Sequence, residues 1–480
     1  MLRYIIFVKE VFKIHTLKKV IVKIINDQNF LSLAANLSTA IMGLLSFIIL
    51  MRMLSIEDFG KWVLFTTPAS LVDMLRFGLT KDALVRFLNS PEKKDKKFYL
   101  GSSWLLGLIS ILLITLLLWI LILLIPGSLS STGYDVFCYW YPLFALASLP
   151  WNYAWTIFQA DVDFKRIFWI RFFNLCSFLI IITTSYFVIE INVTIVVIIY
   201  ITTNLFTSAF CLAKKWTGLQ YIKSISREKT NEILNYGKYS MATRVGSSLL
   251  KGADAFIISF SSFMGPASVA IYAIPMKFVE LIEIPLNSFA VTAFPKLSQA
   301  SLANDMNKFK KIFYTYTGAI AYLYIVIAIL SFFFNKLFIL LLGGANYRML
   351  LPEISNILMV FIVFSFLLPL DRFTGVALDS LNKPKRNFQK IIFMASANIL
   401  GDIFAVFGLH ALFPQLPATT LLLFVALASV LFACVGLLIG YRFLKQLTDI
   451  SFFTIFGKGF QFYKLLIADY LLKIKMSRKL

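Results

Sequence analysis

The chain has 480 residues, of which 59% are hydrophobic and 15% charged, and its mean hydropathy is +0.81. That excludes a soluble enzyme, for which roughly 45–50% apolar and about 25% charged residues are usual, and it excludes disorder, which requires low hydrophobicity. The formal charge of +22 raises nucleic acid as a partner, and the placement of the charges decides against it.

In chain order, residues 1–28 read as a basic amphipathic helix on the cytoplasmic membrane surface. Lys9, Lys13, Lys19 and Lys23 fall within about 120° on a helical wheel. Lysines are spread through this stretch and no compact apolar core precedes a small-residue cleavage site, so it is not a cleaved signal. Twelve apolar runs follow, over 30–51, 62–88, 99–125, 136–160, 167–189, 193–213, 238–260, 267–294, 312–342, 353–380, 389–411 and 418–441. A spanning helix needs about 20 apolar residues, and these runs are continuous rather than alternating, which argues against a β-barrel. The expected fold is an all-α polytopic membrane protein of about 12 transmembrane helices. Residues 29–213 form an N-lobe of spans 1–6, 214–236 a basic cytoplasmic linker, 237–445 a C-lobe of spans 7–12, and 446–480 a basic cytoplasmic interfacial tail. A thirteenth span within 451–475 is the alternative for that tail.

Charge placement supports the count. The segments on one side hold 35 Lys and Arg, whereas the loops on the other hold four: Arg52, Lys61, Lys336 and Arg348. The positive-inside rule makes the first side, with both termini, cytoplasmic. Most of the basic charge is therefore a topology signal and a contact to anionic membrane lipids, and nucleic acid is excluded. Cys138, Cys176, Cys211 and Cys434 all sit in apolar runs without metal-ligand spacing, and there are only two histidines. No disulfide framework, metal site or cofactor is expected.

Six spans, a linker and six more spans suggest a duplication. The stretch from Phe47 is similar to the stretch from Phe256, each a span end, a short outer loop and an aromatic opening the next span. Six is even, so both lobes run in the same direction, related by a pseudo-twofold axis along the membrane normal with a cavity between them.

The charges within the spans carry the functional information. They are Arg76, Lys81, Arg86, Arg244, Lys251, Lys277 and Arg372, with Asp73, Asp82, Asp254, Glu280, Glu283, Asp371, Asp379 and Asp402. A charge at the bilayer centre costs about 2.5–3.5 kcal/mol on the gentlest scale, so most of these must face protein or water. Asp73–Arg76, Lys251–Asp254 and Lys277–Glu280 are three apart and are neighbours on their helices. They serve either as neutral pairs between helices or as site residues. Arg244 has no acid within a turn of its own helix and Arg372 follows Pro369, and an interior arginine without a local acid suits a phosphate. Arg76, Arg244, Lys251 and Arg372 are accordingly the substrate-binding candidates, and Asp73, Asp254, Glu280 and Asp371 the ion-coupling candidates. Asn36, Asn152, Asn174 and Asn398 suit interhelical hydrogen bonds or sugar hydroxyls.

Two stretches also carry a family likeness. The first has Arg52, Leu54, Phe59 and Gly60 in the first outer loop, then Gly78 and Val85–Arg86–Phe87. The second has Asp254, Ile271–Tyr272 and Phe294–Pro295. The chain resembles bacterial polysaccharide flippases of the Wzx-like type, in the multidrug/oligosaccharidyl-lipid/polysaccharide exporter superfamily, to about residue 445. The resemblance implies two six-helix lobes working by alternating access in the bacterial cytoplasmic (inner) membrane. The implied cargo is undecaprenyl diphosphate carrying an oligosaccharide, moved outward for surface polysaccharide biosynthesis. It implies no covalent chemistry and leaves proton, sodium ion or membrane potential open as the driving force. A cation-coupled multidrug exporter of the same superfamily is the alternative. A membrane glycosyltransferase is disfavoured by the short outer loops.

Overall fold

A computed structural model describes residues 28–88, 95–161 and 163–477, without the side chains of 28–38, 239–240, 242–251 and 466–477. The basic helix expected over 1–28 thus lies almost wholly outside the described residues.

Backbone groups in hydrocarbon have no water to bond, so an apolar run of this length closes its hydrogen bonds within a helix. Among the described residues the long helices are α1 (Gln28–Met53), α2 (Ile56–Leu88), α3 (Lys96–Leu124), α4 (Asp135–Ala160), α5 (Phe164–Tyr186), α6 (Val193–Ala213), α7 (Arg227–Ser259), α8 (Gly265–Leu302), α9 (Met306–Gly343), α10 (Leu351–Ser380), α11 (Pro384–Ile403), α12 (Ala418–Thr448) and α13 (Phe452–Ser477). Each of the twelve expected spans falls on one of α1–α12, the eleventh running past α11 through a π-turn and a short helix to Leu412, and no strand occurs among the described residues. Seven helices are long and apolar enough to cross a membrane by length and composition alone. The interior charges of α2, α7 and α8 lie outside these seven, whereas Asp371, Arg372, Asp379 and Asp402 lie on two of them, α10 and α11. The chain is a multi-pass membrane protein.

Polar residues stop the helices. Asp163, Asn192 and Asp305 each accept a backbone N–H three residues on, capping α5, α6 and α9. Asn304, Asn382 and Asp449 take positive φ in the turns after α8, α10 and α12. Pro275, Pro285 and Pro295 all lie inside the continuous α8.

The packing repeats with a shift of six helices. In the first half α1 packs on α5, α2 on α3 and α4, α3 on α4, α4 on α6, and α5 on α6. In the second half α8 packs on α9 and α10, α9 on α10, α10 on α12, and α11 on α12. The counterpart of α1 against α5 is α7 against α11, joined by a hydrogen bond from Asn398 to Asp254. The duplication faint in the residues is plain in the helix partners.

The chain divides into two compact units, Met1–Lys251 and Gly252–Leu480, so the boundary falls inside α7. The linker and the first turns of α7 belong to the first unit and are fastened to it. Trp104 Nε1 donates to the Thr217 carbonyl at 2.9 Å, and Ser102 exchanges hydrogen bonds with the Ser226 backbone. Gly237 lies so close to Leu79 that a Cβ there would stand 1.9 Å from its carbonyl oxygen. Tyr99 donates to Glu232, and Lys229 bridges Asp95 and Glu232.

In the second unit α13 packs along α9 through a glycine crossing. A Cβ on Gly318 would stand 2.4 Å from the Ile455 carbonyl oxygen, and one on Gly459 2.6 Å from that of Gly318. Small residues let backbones approach where lipid supplies no hydrophobic drive between helices. Phe456 stacks on Phe366, halfway along α10, and the Tyr463 hydroxyl donates to the Ala319 carbonyl. The first half of α13 is thus docked on spanning helices, where the sequence suggests a surface tail.

Candidate functional site

Each unit holds a buried polar centre, and the two differ in kind. In the first unit α2 carries Asp73 and Arg76 one turn apart. Arg76 is 1% exposed. Its Nη2 donates to Asp73 Oδ1 at 2.7 Å and to Ser148 Oγ at 3.3 Å, and its Nη1 to the Ala145 carbonyl at 2.7 Å. Tyr141 on α4 donates to the same Asp73 oxygen at 2.8 Å. Arg76 therefore fastens α2 to α4 and neutralises Asp73. The second carboxylate oxygen of Asp73 has no hydrogen-bond partner among the described residues, and Asp73 lines a cavity of about 420 Å³ framed by α2, α4 and α6.

In the second unit the acids meet each other. Asp254 on α7 and Asp402 on α11 are both buried. The Asn398 amide, one turn before Asp402, donates to Asp254 Oδ1 at 2.9 Å and to Asp402 Oδ2 at 3.1 Å. Tyr272 on α8 donates to Asp254 Oδ2 at 2.7 Å, and Ser429 on α12 approaches it at 3.4 Å. Two acceptor oxygens, Asn398 Oδ1 and Asp402 Oδ1, are buried without a partner. Among the described residues no lysine or arginine bonds to either acid. Burying one ion costs several kcal/mol after relaxation, and among the described residues the charge of these two acids is met by hydrogen bonds alone. No group of three His, Cys, Asp or Glu placed to hold a metal ion occurs among the described residues. Directly after Asp402 the helix widens into a π-turn over Phe404–Gly408, a local distortion that recurs at functional sites.

A third cluster lies nearer the start of α11. Lys390 is 3% exposed. Its Nζ donates to Asp371 Oδ1 at 2.8 Å, to the Asp371 carbonyl at 3.1 Å and to Thr374 Oγ1 at 3.1 Å, so all three of its protons are used. Gly436 and Gly440 make the room, because a Cβ there would meet Asp371 Oδ1 at 2.7 Å or Thr374 Oγ1 at 2.4 Å.

The structure thus brings Asp73 to Arg76, Asp254 to Asp402 and Asp371 to Lys390. Glu280 is exposed and paired with Lys277 at 2.5 Å. Arg372 is exposed beside Asp371. Arg244 and Lys251 lie on α7, but their side chains fall outside the described residues. Asn174 bonds Thr207 between α5 and α6, the interhelical use expected of it. Lys390 was not among the residues singled out from the sequence, and Asn398, Tyr272 and Ser429 were not joined to Asp254 there. Antiparallel arithmetic would have found two of these pairings. Asp254 and Tyr272 lie six and eight residues from the turn at 260–264, and Asp371 and Lys390 ten and seven from the turn at 381–383, so each pair matches in depth to within one helical turn.

Comparisons with known proteins agree with this architecture. Residues 27–301, more than half of the chain, match the family described as Polysaccharide biosynthesis protein. Residues 245–404 match the MatE family. Among solved structures, an inward-facing multidrug resistance MATE family transporter of the MOP superfamily superposes with a TM-score of 0.69 at 16% identity, covering 86% of this chain and 96% of that one. The lipid II flippase MurJ in an inward closed conformation gives 0.64 at 18% identity, with 92% of each chain covered. The Vibrio cholerae MATE transporter VcmN gives 0.55 at 14% identity, covering 90% of this chain and 98% of that one. None of the curated proteins matches the chain. The fold is that of these transporters and flippases rather than of an enzyme, and by the match over 27–301 the chain belongs to the polysaccharide biosynthesis protein family.

Proposed function

We propose that this chain is a flippase that moves undecaprenyl-diphosphate-linked oligosaccharide from the cytoplasmic to the outer leaflet of the bacterial cytoplasmic membrane. It works by alternating access, with both termini cytoplasmic, and supplies surface polysaccharide biosynthesis. The observation that carries this reading is the polysaccharide family match on a duplicated six-helix architecture. The centre at Asp254 supports coupling: two buried acids and two orphaned acceptor oxygens bind a proton or sodium ion on one side and release it on the other. Asp254 carries the coupling, and Asp402 joins it. Asp73, compensated by Arg76, and Asp371, compensated by Lys390, are weaker coupling groups. Arg244, Lys251 and Arg372 hold the diphosphate, while the guanidinium of Arg76 is committed to helix packing.

The test is genetic and chemical together. A strain lacking the protein should lose surface polysaccharide and accumulate its lipid-linked precursor. Normal polysaccharide with heightened sensitivity to cationic drugs would point to the multidrug exporter instead.

A further inference from the structure

The cavity of the first unit has about 420 Å³, within the ~300–1,000 Å³ of small-ligand sites. Its lining decides what class of ligand it takes. A cationic drug needs an uncompensated carboxylate, and Asp73 already holds the Arg76 guanidinium at 2.7 Å. A diphosphate needs several converging donors of positive charge. The lining offers one, Lys81, which lies 4.0 Å from the centre of the Trp155 ring. Beside that one lysine the lining is aromatic and rich in hydrogen-bonding groups.

Four of those groups lack a hydrogen-bond partner among the described residues. They are Asp73 Oδ2, Asn152 Oδ1 and the hydroxyls of Ser70 and Tyr200. Two accept only, and two both donate and accept. Phe77 and Tyr200 stand among them. A sugar ring presents hydroxyls at its rim and C–H bonds on its faces. The rim suits acceptors set beside hydroxyls, and the C–H faces suit the negative faces of aromatic rings.

We infer that this cavity seats a neutral sugar ring of the cargo, so that the first unit reads the saccharide while the diphosphate is held elsewhere. This rests on the flippase reading above. Ser70, Asn152 and Tyr200 then determine specificity for the sugar.

The full-length protein in vesicles tests this with two fluorescent lipids, undecaprenyl diphosphate bearing one acetamidohexose and bare undecaprenyl diphosphate. Removing one or two hydrogen bonds by Ser70→Ala with Asn152→Ala, or by Tyr200→Phe, should lower the ratio of their rates, sugar-bearing over bare, by about five- to tenfold. An unchanged ratio, whether both rates fall together or neither does, overturns the inference. If the wild-type protein moves neither lipid, the flippase reading itself fails. The cavity is then judged by saturation-transfer NMR with a free acetamidohexose disaccharide. Contact that is present in wild type and lost in Ser70→Ala with Asn152→Ala upholds the sugar site. Absence of contact, or equal contact in the variant, removes it.

Discussion

The first unit sets an acid against an arginine and the second sets an acid against an acid. Asp73 and Arg76 balance, so their centre needs no further charge and binds two helices together. Among the described residues Asp254 and Asp402 meet no compensating cation, and the Lys251 side chain, one turn before Asp254, lies outside those residues. A duplicated architecture has thus kept the helix partners and diverged in the charge at its core. The difference teaches that buried charge can serve packing or be left for a ligand, and that the partners of the charge, rather than its burial, separate the two.

Substitutions should separate the two centres in sign as well as size. Replacing Arg76 by Met leaves Asp73 without its cation and should destabilise the protein by on the order of 3 kcal/mol, read as a lowered melting temperature in detergent. Asp73→Asn in the same protein should return much of it. Replacing Asp254 by Asn should do the opposite. The melting temperature should hold or rise, because a repulsion between buried acids is relieved, while ion-driven transport is lost. A melting temperature that falls as far as in Arg76→Met would break the comparison. Lys390→Met tests the third cluster. It strands Asp371 beside Gly436 and should cost on the order of 2 kcal/mol, with recovery in the double variant with Asp371→Leu.

Packing predicts a further effect. Gly318→Leu places a side chain where Ile455 and Gly459 already stand, at a cost of about 1–3 kcal/mol. The readout is protease cutting at the α12–α13 turn, which should speed up if α13 is docked and stay the same if it lies free on the membrane surface.

The smallest effect is at the cytoplasmic strap. The hydrogen bond from Tyr99, with help from Lys229, holds the Glu232 carboxyl below its ordinary value near 4.5. A depressed acid stabilises above its unfolded value and loses that contribution as pH falls through the folded one. The bond to Glu232 in turn raises Lys229 above its ordinary value near 10.5, a contribution lost only at strongly alkaline pH. Acid below about pH 4.5 should therefore loosen the linker, seen as faster amide exchange over 219–230. Glu232→Gln should flatten that dependence.

Much of this was legible beforehand. The twelve spans follow from apolar length, and the Asp73–Arg76 and Lys277–Glu280 pairs follow from a spacing of three, because neighbours one turn apart are fixed by the helix itself. The acid pair was not legible, because Asp254 and Asp402 lie on helices far apart in sequence and meet only through the packing of α7 on α11. Lys390 was not legible as an interior charge because it lies at the very start of its span, close to Lys383, Lys385 and Arg386. Its long stem reaches inward to Asp371. The packing of the tail on α9 was not legible because Lys458 and Lys464 suggest a surface, whereas Gly318 and Gly459, at the crossing, are silent in any hydropathy reading.

The central claim is that the uncompensated acids of the second unit drive movement of a lipid-linked sugar. The most direct measurement is transport of fluorescent undecaprenyl-diphosphate acetamidohexose in vesicles, with a proton or sodium gradient imposed or absent, for wild type and Asp254→Asn. The account predicts movement that one of the gradients accelerates in wild type and that no gradient affects in the variant. Equal acceleration in both proteins, or none in either, would contradict it.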